Sequence, residues 1–212
     1  MRRALSISDI YKKSTKTIYV DRFVDFFGEV DLNGSWIIWG NSSSGKTSFA
    51  LQLIKELSKY RRAVYNSLEQ GLSVSMQAAV KRENLIEVRR EVTLLNRESI
   101  DDLVIRLNKQ KSPGIIVIDS VQYTGLNYQA YKALVKQFPH KLFIWISHAE
   151  GKNPSGQTAQ RIRYDADIKI SVEGFIATAN SRFGGGKPYI ISQEKAIEYY
   201  GYLPNQDIND EY

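Results

Sequence analysis

The stretch GNSSSGKTS at 40–48 carries the spacing Gly-x-x-x-x-Gly-Lys-Ser/Thr, met by Gly40, Gly45, Lys46 and Thr47. Between the glycines, Asn41, Ser42, Ser43 and Ser44 are compact or polar enough for backbone N–H groups to wrap a phosphate. A helix starting there adds its dipole in favour of negative charge. Lys46 is spaced to reach the β- and γ-phosphates of a nucleotide, Thr47 to offer its hydroxyl to Mg²⁺, and Ser48 to close the loop. The strand-like SWIIW runs directly into the motif and a helical pattern leaves it, which is the context the motif requires.

Two carboxylates complete the chemistry that such a loop calls for. GIIVIDSVQ ends an apolar strand on Asp119, and the carboxyl ends of parallel strands face the ligand crevice, so Asp119 is expected to hold Mg²⁺ opposite Thr47. The next residue is Ser120, not a second acid, so a base for water must come from elsewhere. AVYNSLEQ ends in Glu69. If its strand neighbours the phosphate-loop strand, Glu69 projects into the crevice and can deprotonate water for in-line attack on a γ-phosphate. Glu83 and Glu87 fall in helix-like or mixed segments and are weaker alternatives. NSRFGGGKP at 180–188 resembles a phosphate loop in composition but fails its spacing. Ser181 stands where Gly is needed and Pro188 where Ser or Thr is needed, and two strand-like runs flank it.

The elements that must position these groups are legible as alternating strands and helices. Strand-like runs fall at 36–39, 63–68, 115–119, 142–147 and 167–172. Several are apolar at nearly every position, as strands covered on both faces are. Helical patterns lie in KTSFALQLIKELSKY, in SIDDLVIRLNKQ with Ser99 at its start, and in YQAYKALVKQF. FIATANSRF and PYIIS read as an added C-terminal hairpin. The expectation is an α/β fold with a mostly parallel central sheet flanked by helices.

Composition bounds the class. A chain of 212 residues, 42% hydrophobic, suits one α/β domain with a substantial core. It is divided here into a basic N-terminal segment at 1–25, a core at 26–200 and an acidic tail at 201–212 that is expected to fray. With no cysteine, disulfides and thiolate metal sites are excluded. No apolar run approaches the roughly 20 residues of a membrane span, and MRRALSISDIYKKSTK lacks the apolar block of a signal peptide, so a cytoplasmic protein is expected. The net charge of +6 fits either an anionic partner or a plain solvated surface.

The phosphate loop, the strand-end Glu69 and the Asp119-Ser120 pair together resemble the RecA-like P-loop ATPases, most closely their RadA and DnaB-type branch. YNSLEQ is similar to the strand carrying the catalytic glutamate there, IIVIDSVQ to the Mg²⁺-binding strand, and LFIWISHAEG to the strand whose last residue senses the γ-phosphate. That position is His148. GKNPSGQTAQRIRYDADIKISVEG resembles the RadA pattern of mobile loop, short helix and strand, and NSRFGG a Lys-Asn-Arg-Phe-Gly signature of that family. Asn180 and Ser181 depart from the signature, so a charge reaching a neighbouring subunit's nucleotide falls to Arg182. The likeness spans about residues 30–192 and implies ATP and Mg²⁺ as ligands, ATP hydrolysis, and a ring or filament of identical subunits. It does not extend to the zinc ribbon, protease-like or helicase–primase domains of those proteins, which implies a bare motor core.

In such cores DNA is contacted by the loops after the Asp-bearing and sensor strands, here 122–129 and 150–161. Tyr123, Tyr128, Lys152, Gln157 and Arg161 then become the groups for single-stranded DNA, combining base stacking with backbone charge. One reading is an ATP-driven protein of DNA replication, recombination or repair. The other is a nucleotide switch of the same fold that binds a protein such as a helicase or recombinase. A small-molecule kinase is disfavoured, because no Arg-rich lid is visible.

Overall fold

A computed structural model of the chain describes residues 4–12 and 17–204. The basic residues Arg2, Arg3, Lys13 and Lys16 and the acidic tail from Asp207 lie outside the described residues. A short helix α1 (Ile7–Lys12) buries none of its residues, and α2 (Val24–Phe27) leads into the sheet.

Among the described residues, six parallel strands and their crossovers build the centre. β1 (Gly34–Gly40) is followed by α3 (Lys46–Leu57), β2 (Ala63–Ser67) by α4 (Val74–Arg82), and β3 (Val92–Asn96) by α5 (Ile100–Leu107). Then come β4 (Ile115–Asp119), α6 (Tyr128–Gln137), β5 (Leu142–Glu150) and a two-residue β6 (Asn153–Pro154), with α7 (Gln157–Asp165) leading to β7 (Ile168–Glu173). β8 (Ile176–Ser181), β9 (Tyr189–Ile190) and α8 (Gln193–Tyr200) end the described chain. The sheet order is β3-β2-β4-β5-β1-β7-β8-β9; it is parallel from β3 to β7 and antiparallel from β7 to β9, with β6 folded back on β5. The expected parallel sheet and C-terminal hairpin are both present.

The unbroken apolar strands follow from burial on both sides. Trp36 and Ile38 of β1 pack with Phe49 and Leu53 of α3, whereas Ile37 and Trp39 face Tyr131, Leu134 and Ile162 of α6 and α7. β4 and β5 divide in the same way, with Val117 and Ile144 on the first face and Ile118 and Trp145 on the second. Each strand residue therefore has a helix to meet, whichever way it points. Ser99 caps α5 by accepting from Asp102 N at 3.1 Å, and Asn127 caps α6 by accepting from Ala130 N at 2.9 Å.

NSRFGGGKP is a backbone clasp. Gly184, Gly185 and Gly186 have φ of +100°, +78° and +117°, conformations that side chains disfavour. They let the loop lie against α2, where Gly186 N donates to Phe26 O and Lys187 N to Asp25 O, both at 3.0 Å. Lys187 itself pairs with Asp25 at 3.1 Å, so its charge serves α2. A Cβ on Gly185 would fall 2.6 Å from the Phe26 carbonyl carbon. Gly185→Ala is therefore expected to lower stability by at least about 2 kcal/mol through backbone strain and clash. Thermal or urea denaturation would read it, and an unchanged midpoint would contradict this account of the clasp.

Candidate nucleotide site

Close contacts that leave no room for side chains fix the path of the loop joining β1 to α3. A Cβ on Gly40 would lie 2.2 Å from Val172 O, and one on Gly45, at φ +104°, would lie 2.8 Å from the ring of Phe175. Ser43 takes a left-handed φ of +61°, and Phe175 N donates to Ser44 O at 3.0 Å. The Lys46 ammonium bends back to donate to Asn41 O at 2.6 Å. Burial pushes its pKa down, and the nearby Asp119 and Glu69 oppose that shift.

Sheet register brings the acids to this pole. Gly40 stands beside His148 on β5, Ile146 beside Asp119 on β4, and Asp119 beside Ser67 on β2. The route of Glu69 differs from the one expected. β2 is separated from β1 by β4 and β5, yet Glu69 lies just beyond the end of β2, where Leu68 N and Glu69 N donate to Asp119 O at 2.6 and 3.1 Å. From there its Oε2 is 3.2 Å from His148 Nε2 and accepts from Ser120 Oγ at 3.4 Å. Glu69, Asp119, His148, Lys46 and Thr47 line one cavity of about 300 Å³. Glu83 and Glu87 do not line it; they pair with Arg82 and Lys55.

Asp119 is 4% exposed and accepts from the buried Tyr65 hydroxyl at 2.6 Å. Loss of water, helped by the nearby Glu69, raises its pKa to about 6 against the hydrogen bond from Tyr65 and the charge of Lys46. The same burial, reinforced by Asp119, pushes the Tyr65 phenol well up. A divalent cation suits a buried carboxylate short of positive charge. The buried Ser44 hydroxyl, which has no partner among the described residues, likewise suits a phosphate oxygen. Among the described residues no cluster of three or more His, Asp or Glu could hold a metal alone. Mg²⁺ would thus be held by Thr47, Asp119 and the phosphates, as that ion commonly is.

The remaining sequence-picked residues do not share one surface. Tyr123 is 55% exposed with its ring 6.4 Å from that of His148. Tyr128 is occupied: it stacks on Tyr131 at 5.9 Å, carries the Arg161 guanidinium at 5.5 Å, and donates to Asp165 at 2.8 Å. The long mobile loop expected at 150–161 is instead a hairpin and a helix. Lys152 lies in the β5–β6 turn, where its carbonyl accepts from Trp39 Nε1, and Gln157 is the first residue of α7. Arg182 sits at the opposite pole, paired with Asp167 at 3.2 Å beside the start of β1. Six strand residues at ~3.3 Å each put it about 20 Å from its own phosphate loop. A larger cavity, about 780 Å³, is at that far pole and includes Lys132, Tyr164 and Arg182. The phosphate-loop motif and both acids line the smaller one.

Three cavity residues have no local sequence motif: Arg82 on α4, Phe175 in the β7–β8 turn and Lys195 on α8. Only the fold joins them to the loop.

No model of a known protein family matches the chain, and no curated protein matches it in sequence. Among solved structures it is similar to flagellar accessory protein FlaH from Methanocaldococcus jannaschii, with a TM-score of 0.58 at 16% identity. The match covers 82% of this chain and 96% of that one. The fold is RecA-like: a mostly parallel sheet flanked by helices, extended by the β7–β8–β9 antiparallel edge. Among the described residues no helix is long and apolar enough to cross a membrane.

Burial of Asp119 has a measurable cost to the fold. Its folded pKa of about 6 lies above the ordinary value of 3.8, so the folded state holds the proton more tightly. Stability contributed by this group is present at low pH and is lost as pH rises from about 4 to about 6. Asp119→Asn keeps an acceptor for Tyr65 and removes the charge. At pH 7–8 it is expected to stabilise the nucleotide-free protein by up to about 3 kcal/mol. Melting curves across pH 4–8 test this. A variant no more stable than wild type at pH 8 would refute it.

Proposed function

We propose that this chain binds ATP with Mg²⁺ and hydrolyses it, Glu69 acting as the base. The observation that carries this reading is the convergence of Glu69 and His148 with Lys46 and Asp119 on one cavity at the phosphate loop, with Ser120 donating to Glu69. Lys46 exchanges Asn41 O for the β- and γ-phosphate oxygens, and the loop N–H groups hold the β-phosphate. Mg²⁺, when bound, offsets the negative charge on the phosphates. Glu69 takes a proton from water as its oxygen bonds to the γ-phosphorus, and the bond to the β–γ bridging oxygen breaks to release ADP. His148, within hydrogen-bonding distance of Glu69, orients that carboxylate and meets the γ-phosphate.

The site is completed by a second copy, whose Arg182 approaches the γ-phosphate. Within one chain Arg182 is a strand length away, which supports a role across a boundary and none in its own site. As in the RadA and DnaB-type proteins it resembles in motif, the oligomer acts on single-stranded DNA. Tyr123 couples contact at the surface to His148, and Lys152 supplies charge. A second reading is a nucleotide switch that binds a protein partner such as a helicase or recombinase. It is favoured by the engagement of Tyr128 with Arg161 and Tyr131, which leaves fewer groups for bases, and by the likeness to a protein named as an accessory factor.

Lys46→Ala is expected to lose nucleotide binding. Glu69→Gln should keep it while turnover falls by roughly 10²–10⁴, the range of a lost general base. Turnover within a few-fold of wild type would remove Glu69 from that role. Mixing Arg182→Ala with Lys46→Ala chains should restore part of the activity, since one boundary then holds both intact residues; no recovery argues against sharing. Hydrolysis stimulated by single-stranded DNA, with binding that weakens steeply in salt, supports the DNA reading. Absence of both leaves the switch.

A further inference from the structure

Lys46, Thr47, Asp119 and Glu69 define the end of the cavity where the terminal phosphates react. The lining also includes Ser48, and two of its walls come from distant elements. On one, Arg82 at the end of α4 donates through Nη2 to Ser48 Oγ at 2.8 Å. On the other, Lys195 of α8 is poised 4.9 Å above the ring of Phe175, which packs against Gly45. Both cations are exposed, and Lys195 makes no ion pair among the described residues. Exposed cations normally turn outward to water. These two line a cavity that already contains Lys46.

Local packing explains how Lys195 comes to be there. The Gly174–Phe175 turn is pinned between the phosphate loop and α8: Phe175 N donates to Ser44 O, and a Cβ on Gly174 would strike the Tyr199 and Tyr200 rings at 2.4 and 2.6 Å. Helix α8 buries only Ala196, so it rests on this turn as a lightly attached cover. The Phe175 ring thus serves as the platform for the ammonium group, with its face taken by Lys195 and not open to a purine.

We infer that Arg82 and Lys195 form a two-sided cationic clamp on the nucleotide next to the ribose, closing on the α-phosphate from α4 and from α8. This rests on the proposed reading of the site as a nucleotide site and adds its second anchoring point. The clamp grips charge and not base edges, so it holds ADP and ATP alike. It also ties the position of α8 to occupancy of the loop.

The test is calorimetric titration of Mg-ADP and a non-hydrolysable Mg-ATP analogue into wild type, Arg82→Ala, Lys195→Ala and Lys195→Arg. Each alanine variant is expected to weaken both nucleotides by the same factor, about tenfold for one charge-assisted contact. Lys195→Arg should retain most of the affinity. Lys195→Ala should leave the melting temperature without nucleotide unmoved, as befits an exposed side chain, whereas Arg82→Ala also gives up its bonds to Ser48 and Glu83. Unchanged affinities, a loss confined to the ATP analogue, or a fall in the nucleotide-free melting temperature of Lys195→Ala would each overturn the clamp. If wild type itself binds neither nucleotide, the reading of the whole site fails. Tight wild-type binding with unaffected variants defeats only the clamp.

Discussion

Asp119 is a carboxylate removed from water at the end of a strand whose five residues are all buried. In that position ionisation is unfavourable unless positive charge is close by, and the neighbouring groups meet that demand only in part. Tyr65 donates one hydrogen bond and Lys46 contributes charge from across the cavity, yet the pKa still stands at about 6. Lys46 is itself half desolvated and bound to a carbonyl of its own loop, so neither group is fully satisfied by the other. Placing buried charge in this incomplete balance costs stability. It also leaves both charges incompletely met, as is common where side chains are arranged for function rather than for stability.

The parallel sheet makes that concentration of charge possible. All strands from β3 to β7 point the same way, so the ends of β1, β2, β4 and β5 open on a single pole. Strand register then sets the spacing with little help from loops: His148 is level with Gly40, and Glu69 follows the strand paired with Asp119. The starts of β1 and β7 make the other pole, where Asp167 bridges to Ser35 and pairs with Arg182. A rigid strand separates the two poles, so no rearrangement of side chains within one chain can bring Arg182 to its own phosphate loop.

What the sequence made legible follows the same physics. β1, β4 and β5 were readable because burial on both faces demands unbroken apolar runs, and Lys46 and Asp119 because each sits at a fixed step from such a strand. Glu69 was readable as a residue but not in its path, since sequence says that a strand ends there and not which strands lie beside it. β3 escaped notice: it edges the sheet and only Leu95 of its five residues is buried, so the strand signal is weak. α8 has one buried side chain and hence no apolar stripe. Arg82 and Lys195 carry no spacing rule at all, because tertiary folding alone sets them beside Ser48 and Phe175. The glycine run at 184–186 resembles a phosphate loop in composition alone, and its use as a clasp on α2 depends on a partner more than 150 residues away.

The surface next to Glu69 is tied to it by short polar links. Gln122, one residue past the buried Val121, donates to Ser147 Oγ and Ser155 O at 2.8 Å each, joining the end of β4 to β5 and to the segment leading into α7. Ser147 precedes His148, and His148 faces both Glu69 and the exposed Tyr123. A shift of Tyr123 or of the β5–β6 turn therefore reaches groups within one or two contacts of the Glu69 carboxylate. Tyr128 and Arg161 sit outside this chain of contacts, stacked on each other and anchored to Asp165 and Tyr131. Of these surface groups, Tyr123 and Gln122 are the ones tied to the His148–Glu69 pair.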